Sequence, residues 1–261
     1  SFNLEMADLP KKISPKTKVI IVQHTFGVPA QIDKIMEMAR SLDLKVLEDC
    51  AHSLGAEYQG KKLGTFGDAA IFSFGSDKVV SCVRGGAVIT DNQVYSEKLK
   101  DYHKRLPRMP AVKIWQHLMS YPVFFKGKWL YSYFVGKFIL YSAKKLFLIP
   151  KIVSKEEKQG KQGIYYPAKL PNCLATLALK QLGKLELLNL HRKKIAELYA
   201  QKINNNRLVK PRLTDGAIYL RYTILAGMPA DLRVAAKNRN IILGDWYSTA
   251  VAPPATAWGK L

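Results

Sequence analysis

Four short runs near the start of the chain limit its possible folds more than any other feature of the sequence. They are KVIIVQH (Lys18–His24), KVLED (Lys45–Asp49), AAIFSF (Ala69–Phe74) and GGAVIT (Gly85–Thr90). Apolar, β-branched runs of this kind predict strands that are buried on both faces. Ala30–Leu42, between the first two runs, carries its apolar residues at helical spacing. The strand–helix–strand order predicts an α/β fold with a mostly parallel sheet and flanking helices.

The rest of the chain contains longer helical patterns. We predict helices over Asp91–Arg105 and Cys173–Ile203, and the second of these has a strong apolar stripe. Ala217–Ala226 is predicted as a strand and Ala230–Asn238 as a helix. The polar segment Lys155–Gly163 has the composition of a linker.

The charge of the chain is distributed unevenly. Lys+Arg is 41 and Asp+Glu is 20, which gives a net charge of +21. Residues 1–99 hold 12 basic and 12 acidic side chains, so residues 100–261 hold 29 basic and 8 acidic ones. No acid occurs between Tyr102 and Lys155. This asymmetry indicates two parts with different partners.

Pro107–Pro150 is basic and aromatic, and three interpretations of it stay open. The first is an amphipathic helix over Pro122–Pro150 on an anionic membrane face, with Lys126, Lys137 and Lys144 on one side. The second is nucleic-acid binding through interleaved basic and aromatic side chains, which we do not expect. The third is a helical insertion that contacts a second subunit and attracts a nucleotide-sugar diphosphate.

Cysteine usage and hydropathy limit the metal content and the location. Cys50, Cys82 and Cys173 show no metal-ligand spacing, so we predict no metal site and expect reduced thiols in a cytoplasmic protein. Trp129–Pro150 is long enough for a membrane span, but it contains three lysines. Each lysine near the centre of a span costs roughly 2.5–3.5 kcal/mol, so we reject a transmembrane helix.

Polar side chains follow the predicted strands, where parallel sheets bind ligands. Asp49 fits a partner for a protonated pyridine nitrogen, and it also fits a helix N-cap or an ion pair. Lys78 fits a desolvated nucleophile or an ordinary loop lysine. Ser73 fits a phosphate-binding turn or a common Ser–Gly turn. His24 and His52 could each contact a ligand, or each could be a buried histidine whose hydrogen bonds are made within the protein.

The order of these residues along the chain carries a resemblance to a known family. VQHTFGVPAQIDKIMEMA, VLEDCAHSLGAEYQGKKLGTFGDAAIFSFGSDK and RGGAVITD resemble the core of the DegT/StrS-type sugar aminotransferases. These are pyridoxal-phosphate enzymes of the aspartate-aminotransferase (type I) fold. The resemblance implies a homodimer that moves an amino group, from glutamate, to a nucleotide-linked keto-sugar. It divides the chain into a cofactor-binding core, a basic helical insertion with its linker, and part of a small α+β domain: residues 1–106, 107–163 and 164–261.

The resemblance also assigns roles to individual residues. It implies that Lys78 is the Schiff-base lysine and that Asp49 pairs with the pyridinium nitrogen. His52 lies where the family has Gln or His near the phenolic oxygen of the ring, and Ser73 is the phosphate-contacting serine. Related dehydratases replace the Schiff-base lysine with His, so Lys78 favours amino transfer over dehydration. A degenerate relative that binds ligand without turnover is the remaining alternative.

The sequence departs from the family pattern in two places. It begins part-way into the pattern, without the Gly/Ser/Thr phosphate loop, and stops before the small domain is complete, so we interpret it as a fragment. The Asn-x-Arg motif expected before the long helix is replaced by YYPAKL (Tyr165–Leu170), in which Lys169 stands in for the arginine. Lys169 and His24 are candidate substrate-binding residues.

Overall fold

The computed structural model describes residues 2–131, 134–150, 159–163 and 165–244. The chain forms two compact units. The first combines Ser1–Arg105 with Asn172–Leu225, and the second combines Leu106–Pro171 with Ala226–Leu261, as far as these ranges are described. The division predicted from the sequence (residues 1–106, 107–163 and 164–261) groups the segments differently, and it stays a prediction.

The first unit contains the sheet and most of the helices. Its strands are β1 (Val19–Gln23), β2 (Lys45–Asp49), β3 (Glu57–Tyr58), β4 (Lys61–Lys62), β5 (Ala69–Ser73), β6 (Gly86–Ile89) and β7 (Leu208–Val209). Its helices are α1 (Leu9–Lys12), a 3₁₀ turn (Thr25–Gly27), α2 (Ile32–Ser41), α3 (Gln93–Arg105), α6 (Asn172–Leu182) and α7 (Leu185–Lys202).

The main sheet confirms the predicted α/β fold. Its strand order is β1-β2-β5-β6, with β1, β2 and β5 parallel and β6 antiparallel to β5. The predicted burial on both faces is wrong for β1, because Ile20 and Val22 are buried while Val19 and Ile21 are 49% and 61% exposed. Strand β1 is the edge of the sheet, and its buried side chains pack with Ile32 and the rest of the apolar stripe of α2.

A fully buried carboxylate lies in the middle of this unit. Glu48 shares a face of β2 with apolar neighbours, and its oxygens accept N–H bonds from Gly64 (2.8 Å), Phe66 (2.7 Å) and Gly67 (2.8 Å). A fourth bond joins it to Nε2 of buried His24 (3.1 Å). Burial raises the pKa of Glu48, but the hydrogen bonds outweigh it, so the pKa lies below its ordinary value.

Two predicted elements of the C-terminal part are wrong. The helix expected over Cys173–Ile203 is divided into α6 and α7 at Gly183, because glycine weakens a helix interior. The strand expected over Ala217–Ala226 is reduced to β8 (Leu225–Ala226). Its first residues are apolar because they pack on the turn after β1: Ile218 N–H donates to Gly27 O (2.9 Å).

The second unit contains the basic helices α4 (Ala111–Trp129) and α5 (Phe134–Lys145), and the short helix α8 (Pro229–Asn238). The prediction that Lys126, Lys137 and Lys144 share one helical face is wrong. The first lysine is on α4 and the other two are on α5, because the chain turns after Trp129. No helix among the described residues is long and apolar enough to cross a membrane. Residues 155–158 of the predicted linker Lys155–Gly163 lie outside the described residues.

We predict that Glu48→Gln destabilises the first unit by about 3 kcal/mol, because the new amide places N–H donors against N–H donors in a buried site. Chemical unfolding at neutral pH measures this change. The matched control, Glu37→Gln on an exposed position of α2, is expected to stay within about 0.5 kcal/mol of wild type.

The contribution of Glu48 to the stability of the fold changes with pH in a definite direction. Because folding lowers the pKa of Glu48, its ionised form stabilises the fold above the ordinary value of 4.5. That contribution is lost as the pH falls through the lowered value, so wild type and Glu48→Gln are expected to converge in acid. A stability difference that stays constant down to the acid transition would contradict the role of the ionised carboxylate.

Candidate active site

The ends of the parallel strands bring the predicted site residues to one edge of the sheet. Asp49 ends β2, and it is the register partner of Gln23 on β1 and of Ile71 on β5. Ser73 ends β5 two residues further on. Asp49 and Ser73 therefore lie at the carboxyl ends of neighbouring parallel strands, where ligands of α/β sheets bind.

Asp49 is a half-buried carboxylate with two donors. Its Oδ2 accepts from the side-chain amide of Gln23 (2.9 Å), and its Oδ1 accepts from the N–H of Ala51 (3.0 Å). The second bond is a local turn interaction of the kind that the cap alternative expected. Both bonds fix the orientation of the carboxylate at the edge of the sheet.

His52 is a buried neutral imidazole. Its Nδ1 accepts the N–H of Phe26 (3.2 Å), so the ring proton lies on Nε2. The two rings stack with centroids 5.7 Å apart and planes 8° apart. Burial, followed by the positive charge of Lys78, lowers the pKa of His52 to about 4. The imidazole is therefore uncharged at neutral pH, and the charge of Lys78 acts on it.

Lys78 lies in a fixed loop beyond β5. Its side chain is only 13% exposed, and its Nζ lies 3.4 Å from the Asp77 carboxylate. The same carboxylate oxygen lies 3.8 Å from Arg221. The Lys78 N–H donates to Gly75 O (3.1 Å), which closes the turn. A shielded amine whose position is fixed in this way suits a nucleophile better than the ordinary loop lysine of the alternative interpretation.

Ser73 and a second anchor complete the loop. The Ser73 hydroxyl accepts the N–H of Gly75 (3.3 Å), which leaves its own hydrogen able to bind an anion. Further along, the side-chain amide of Gln181 on α6 bonds both the N–H and the carbonyl of Ser81. The loop that carries Lys78 is therefore held from both ends.

His24, one of the two candidate substrate contacts, lies in the core of the first unit. His24 is fully buried: its Nδ1 accepts the N–H of Ala30 (3.1 Å) and its Nε2 faces Glu48. Both ring nitrogens of His24 therefore have partners in the core, and its substrate role stays a prediction. Lys169 lies in the second unit, where its N–H donates to Pro107 O (2.9 Å), and its substrate role stays a prediction.

Four residues near the site are absent from the sequence-based prediction. They are Gln23, Phe26, Asp77 and Arg221, which contact Asp49, His52 or Lys78 or complete their charge environment. Gln23 could have been found, since strand ends that are paired in register place Gln23 beside Asp49. Arg221 could not, because its segment was predicted as a strand.

One group among the described residues has the composition of a metal site. The ligand atoms of His24, Glu48 and Cys50 lie within 4.8 Å of one another, and all three residues are buried. Glu48 already accepts four hydrogen bonds. Burial raises the pKa of the Cys50 thiol to about 12, which keeps its proton in place. We interpret the group as a hydrogen-bonded part of the core.

The fold and the donor set define a class. A carboxylate suits a pyridinium, a shielded amine suits an aldehyde, and a serine hydroxyl suits a phosphate. Asp49, Lys78 and Ser73 supply these groups, and Asp49 and Lys78 both act electrostatically on His52, so the residues present fit pyridoxal phosphate. An α/β unit with this arrangement at its strand ends has the type I fold of pyridoxal-phosphate-dependent transferases.

The chain belongs to the DegT/DnrJ/EryC1/StrS aminotransferase family, whose sequence model matches residues 1–123 and 142–253. Uncharacterized protein MJ1066 of Methanocaldococcus jannaschii is 30% identical over 207 residues, covering 78% of this chain and 44% of that protein. GDP-perosamine synthase of Escherichia coli O157:H7 is 38% identical over 98 residues, covering 38% and 27%. The chain thus spans less than half the length of these relatives.

A solved structure confirms the predicted fold. It is that of Helicobacter pylori PseC, an aminotransferase involved in the biosynthesis of pseudoaminic acid. The two chains superpose with a TM-score of 0.64 at 22% identity, over 91% of this chain and 54% of PseC.

We predict that removing the charge of Lys78 raises the pKa of His52. In cofactor-free protein, NMR titration of labelled histidine is expected to give a His52 midpoint near 4, and Lys78→Met is expected to move it part of the way towards 6.5. The shift is partial because burial is the larger cause. Lys98→Met, an exposed lysine on α3, is the control and is expected to leave the midpoint unchanged. Identical titrations of wild type and Lys78→Met would mean that the amine does not face the imidazole.

Proposed function

We propose that the chain carries the cofactor-binding core of a pyridoxal-phosphate-dependent aminotransferase. The enzyme transfers an amino group, from glutamate, to a keto group of a nucleotide-linked sugar. The observation that carries the proposal is that Asp49 at the end of β2 and Lys78 beyond β5 both act electrostatically on the buried, neutral His52. Family membership supports the reaction class.

Asp49 is proposed as the partner of the protonated ring nitrogen of the cofactor. When bound, pyridoxal phosphate supplies an aldehyde that exchanges amino groups and a ring that withdraws electrons when its nitrogen is protonated. The Asp49 carboxylate, fixed by Gln23 and Ala51, is the partner for that nitrogen. A carboxylate in this position keeps the nitrogen protonated at neutral pH because the charge pair is stabilised away from bulk water.

Lys78 is proposed as the residue that attaches the cofactor and moves protons. Its amine would hold the cofactor, and the free amine would take the proton from Cα of the donor substrate as a general base and give that proton back as a general acid. The Asp77 carboxylate lies beside it and, with Arg221, sets the local charge. A lysine, rather than a histidine, at this position favours amino transfer over dehydration.

Ser73 and His52 orient the cofactor in this proposal. The Ser73 hydroxyl donates to the phosphate, close to the turn closed by Gly75. His52 carries its proton on Nε2 and faces the ring as a neutral donor, held in position by the Phe26 N–H. Because burial keeps the imidazole uncharged, it adds no positive charge that would compete with the pyridinium for Asp49.

The proposed substrate and biological context are inferred from proteins that are similar to this chain. A GDP-perosamine synthase and an aminotransferase of pseudoaminic acid biosynthesis are similar to this chain, and both names denote sugar chemistry. We extend a nucleotide-linked sugar substrate, polysaccharide biosynthesis and a homodimer to this protein as part of the proposal. We also propose a cytoplasmic location with a peripheral contact at the inner membrane face through residues 122–150.

We predict that Lys78→Ala in the full-length protein abolishes amino transfer and the visible absorption of covalently attached cofactor. The change removes a loop amine whose ion pair is with the neighbouring Asp77, so the free energy of unfolding is expected to change by about 1 kcal/mol or less. Absorption spectra before and after glutamate addition, with product assays, measure the effect. Lys98→Ala is the matched control and is expected to behave as wild type. Turnover by Lys78→Ala near the wild-type rate would refute the assignment.

We predict that Asp49→Asn keeps the cofactor bound but lowers the rate on the order of 10²–10³-fold, because an amide carries no charge to hold the ring nitrogen protonated. The remaining amide oxygen still accepts the Ala51 N–H, so the local turn is expected to persist. Reconstitution with N-methylated cofactor, which is permanently cationic, is expected to restore part of the rate. Unfolding of the variant, without rescue, would point to the helix-cap interpretation of Asp49.

A further inference from the structure

The hairpin of α4 and α5 is packed with its small and polar residues inward. The buried residues of the two helices are Gln116, His117, Ser120, Gly127, Gly136 and Ala143. In a water-soluble helix pair, the large apolar side chains face the helix–helix contact. Small residues at that contact, with large apolar residues outside, are typical of helices that face lipid.

Close backbone contacts hold the hairpin together. Gly136 N–H donates to Leu130 O (3.0 Å) at the turn, and a Cβ on Gly127 would lie 2.6 Å from Leu140. A Cβ on Gly136 would overlap the backbone of Gly127 and Leu130, so the chain approaches closely there because position 136 has no side chain. Further from the turn, the Gln116 side-chain amide donates to a backbone carbonyl after α5 (2.7 Å). The hairpin thus presents its outer side chains from a fixed backbone.

The turn end of the hairpin exposes large aromatic side chains, and four of those described are exposed by 70% or more. We define the hairpin tip as residues 124–131 and 134–138. Its aromatic set is Phe125 (73% exposed), Trp129 (75%), Phe134 (85%) and Phe138 (70%). Single exposed apolar residues are normal on a protein surface, but a group of this size at one end of a hairpin marks an interaction surface.

The tip is also strongly basic. Its lysines are Lys126, Lys128 and Lys137, and the last lies over the rings of Tyr131 (5.4 Å) and Phe134 (5.3 Å). No acidic residue occurs from Tyr102 to Lys155 to balance them. Exposed aromatics with lysines beside them are the composition of segments that lie at a membrane interface. The charge selects an anionic partner surface.

The sequence model of the family matches residues up to 123 and again from 142, so it leaves out the tip and much of α5. An aromatic, basic surface that the family pattern does not contain is not explained by the shared catalytic core.

We propose that the hairpin tip inserts its aromatic set into the headgroup region of an anionic bilayer, with the tip lysines at the lipid phosphates. Insertion is shallow, since the 12 residues of α5 extend about 18 Å and the hydrocarbon core is about 30 Å thick. This inference rests on the peripheral membrane contact named in the proposed function, and it is independent of the amino-transfer chemistry.

Vesicle co-sedimentation of the full-length protein tests the proposal. We expect binding to phosphatidylglycerol–phosphatidylcholine vesicles, weaker binding as salt rises, and little binding to phosphatidylcholine alone. Changing each tip lysine to Gln is expected to weaken binding about fivefold per residue. Changing the aromatic set to Ser is expected to abolish it. Val112→Ser and Leu146→Ser, which are 66% and 65% exposed away from the tip, are the controls and are expected to bind as wild type.

Fluorescence locates the inserted residue. Lipids with brominated acyl chains are expected to quench wild-type tryptophan emission, and Trp129→Phe is expected to remove that quenching while Trp115→Phe keeps it. Equal binding to neutral and anionic vesicles, or wild-type binding by the aromatic variant, would overturn the proposal. Loss of a dimer in the tip variants without any vesicle binding would assign the tip to a second copy, and nucleic-acid binding at physiological salt would assign it to that partner. Failed amino transfer with normal vesicle binding would instead count against the proposed function alone.

Discussion

The hydrogen bonds that converge on the buried Glu48 carboxylate connect the segments from which the site is built. On one side they reach the turn after β1 through His24, and on the other they hold the loop 64–67 that leads into β5. An unpaired carboxylate in this position would cost several kcal/mol, so β2 packs in register only with all of these partners present. The position of Asp49, one residue further along β2, depends on that packing.

Two adjacent carboxylates have different chemistry because a strand sends successive side chains to opposite faces. Glu48 points into the core, where N–H donors surround it and leave no room for a ligand. Asp49 points the other way and accepts only from Gln23 and Ala51 among the contacts described. Glu48 therefore stabilises the fold, whereas Asp49 places a carboxylate at the carboxyl end of the sheet. The alternation of side chains along β2 is enough to give the two neighbouring carboxylates these different positions.

Local patterns predicted the strands and most of the helices, whereas long-range packing decided the places where prediction failed. The runs that became β1, β2, β5 and β6 carry their signal within five or six residues. The apolar character of Ala217–Ala226 instead reflects packing against the turn after β1. The spacing of apolar residues within that segment does not reveal such a long-range contact. His24 and His52 both follow strand ends, and only the partners of their ring nitrogens distinguish a core residue from a site residue.

The range of electrostatic forces in salt decides what the basic hairpin can do. At physiological ionic strength, exposed charges are screened beyond about 8 Å, so the lysines of the tip act only on a partner that comes into contact with them. The exposed aromatic set adds a second requirement, since it is stabilised only when a partner removes it from water. A partner that satisfies both must present anionic groups next to an apolar layer, and the surface of an anionic bilayer has that composition.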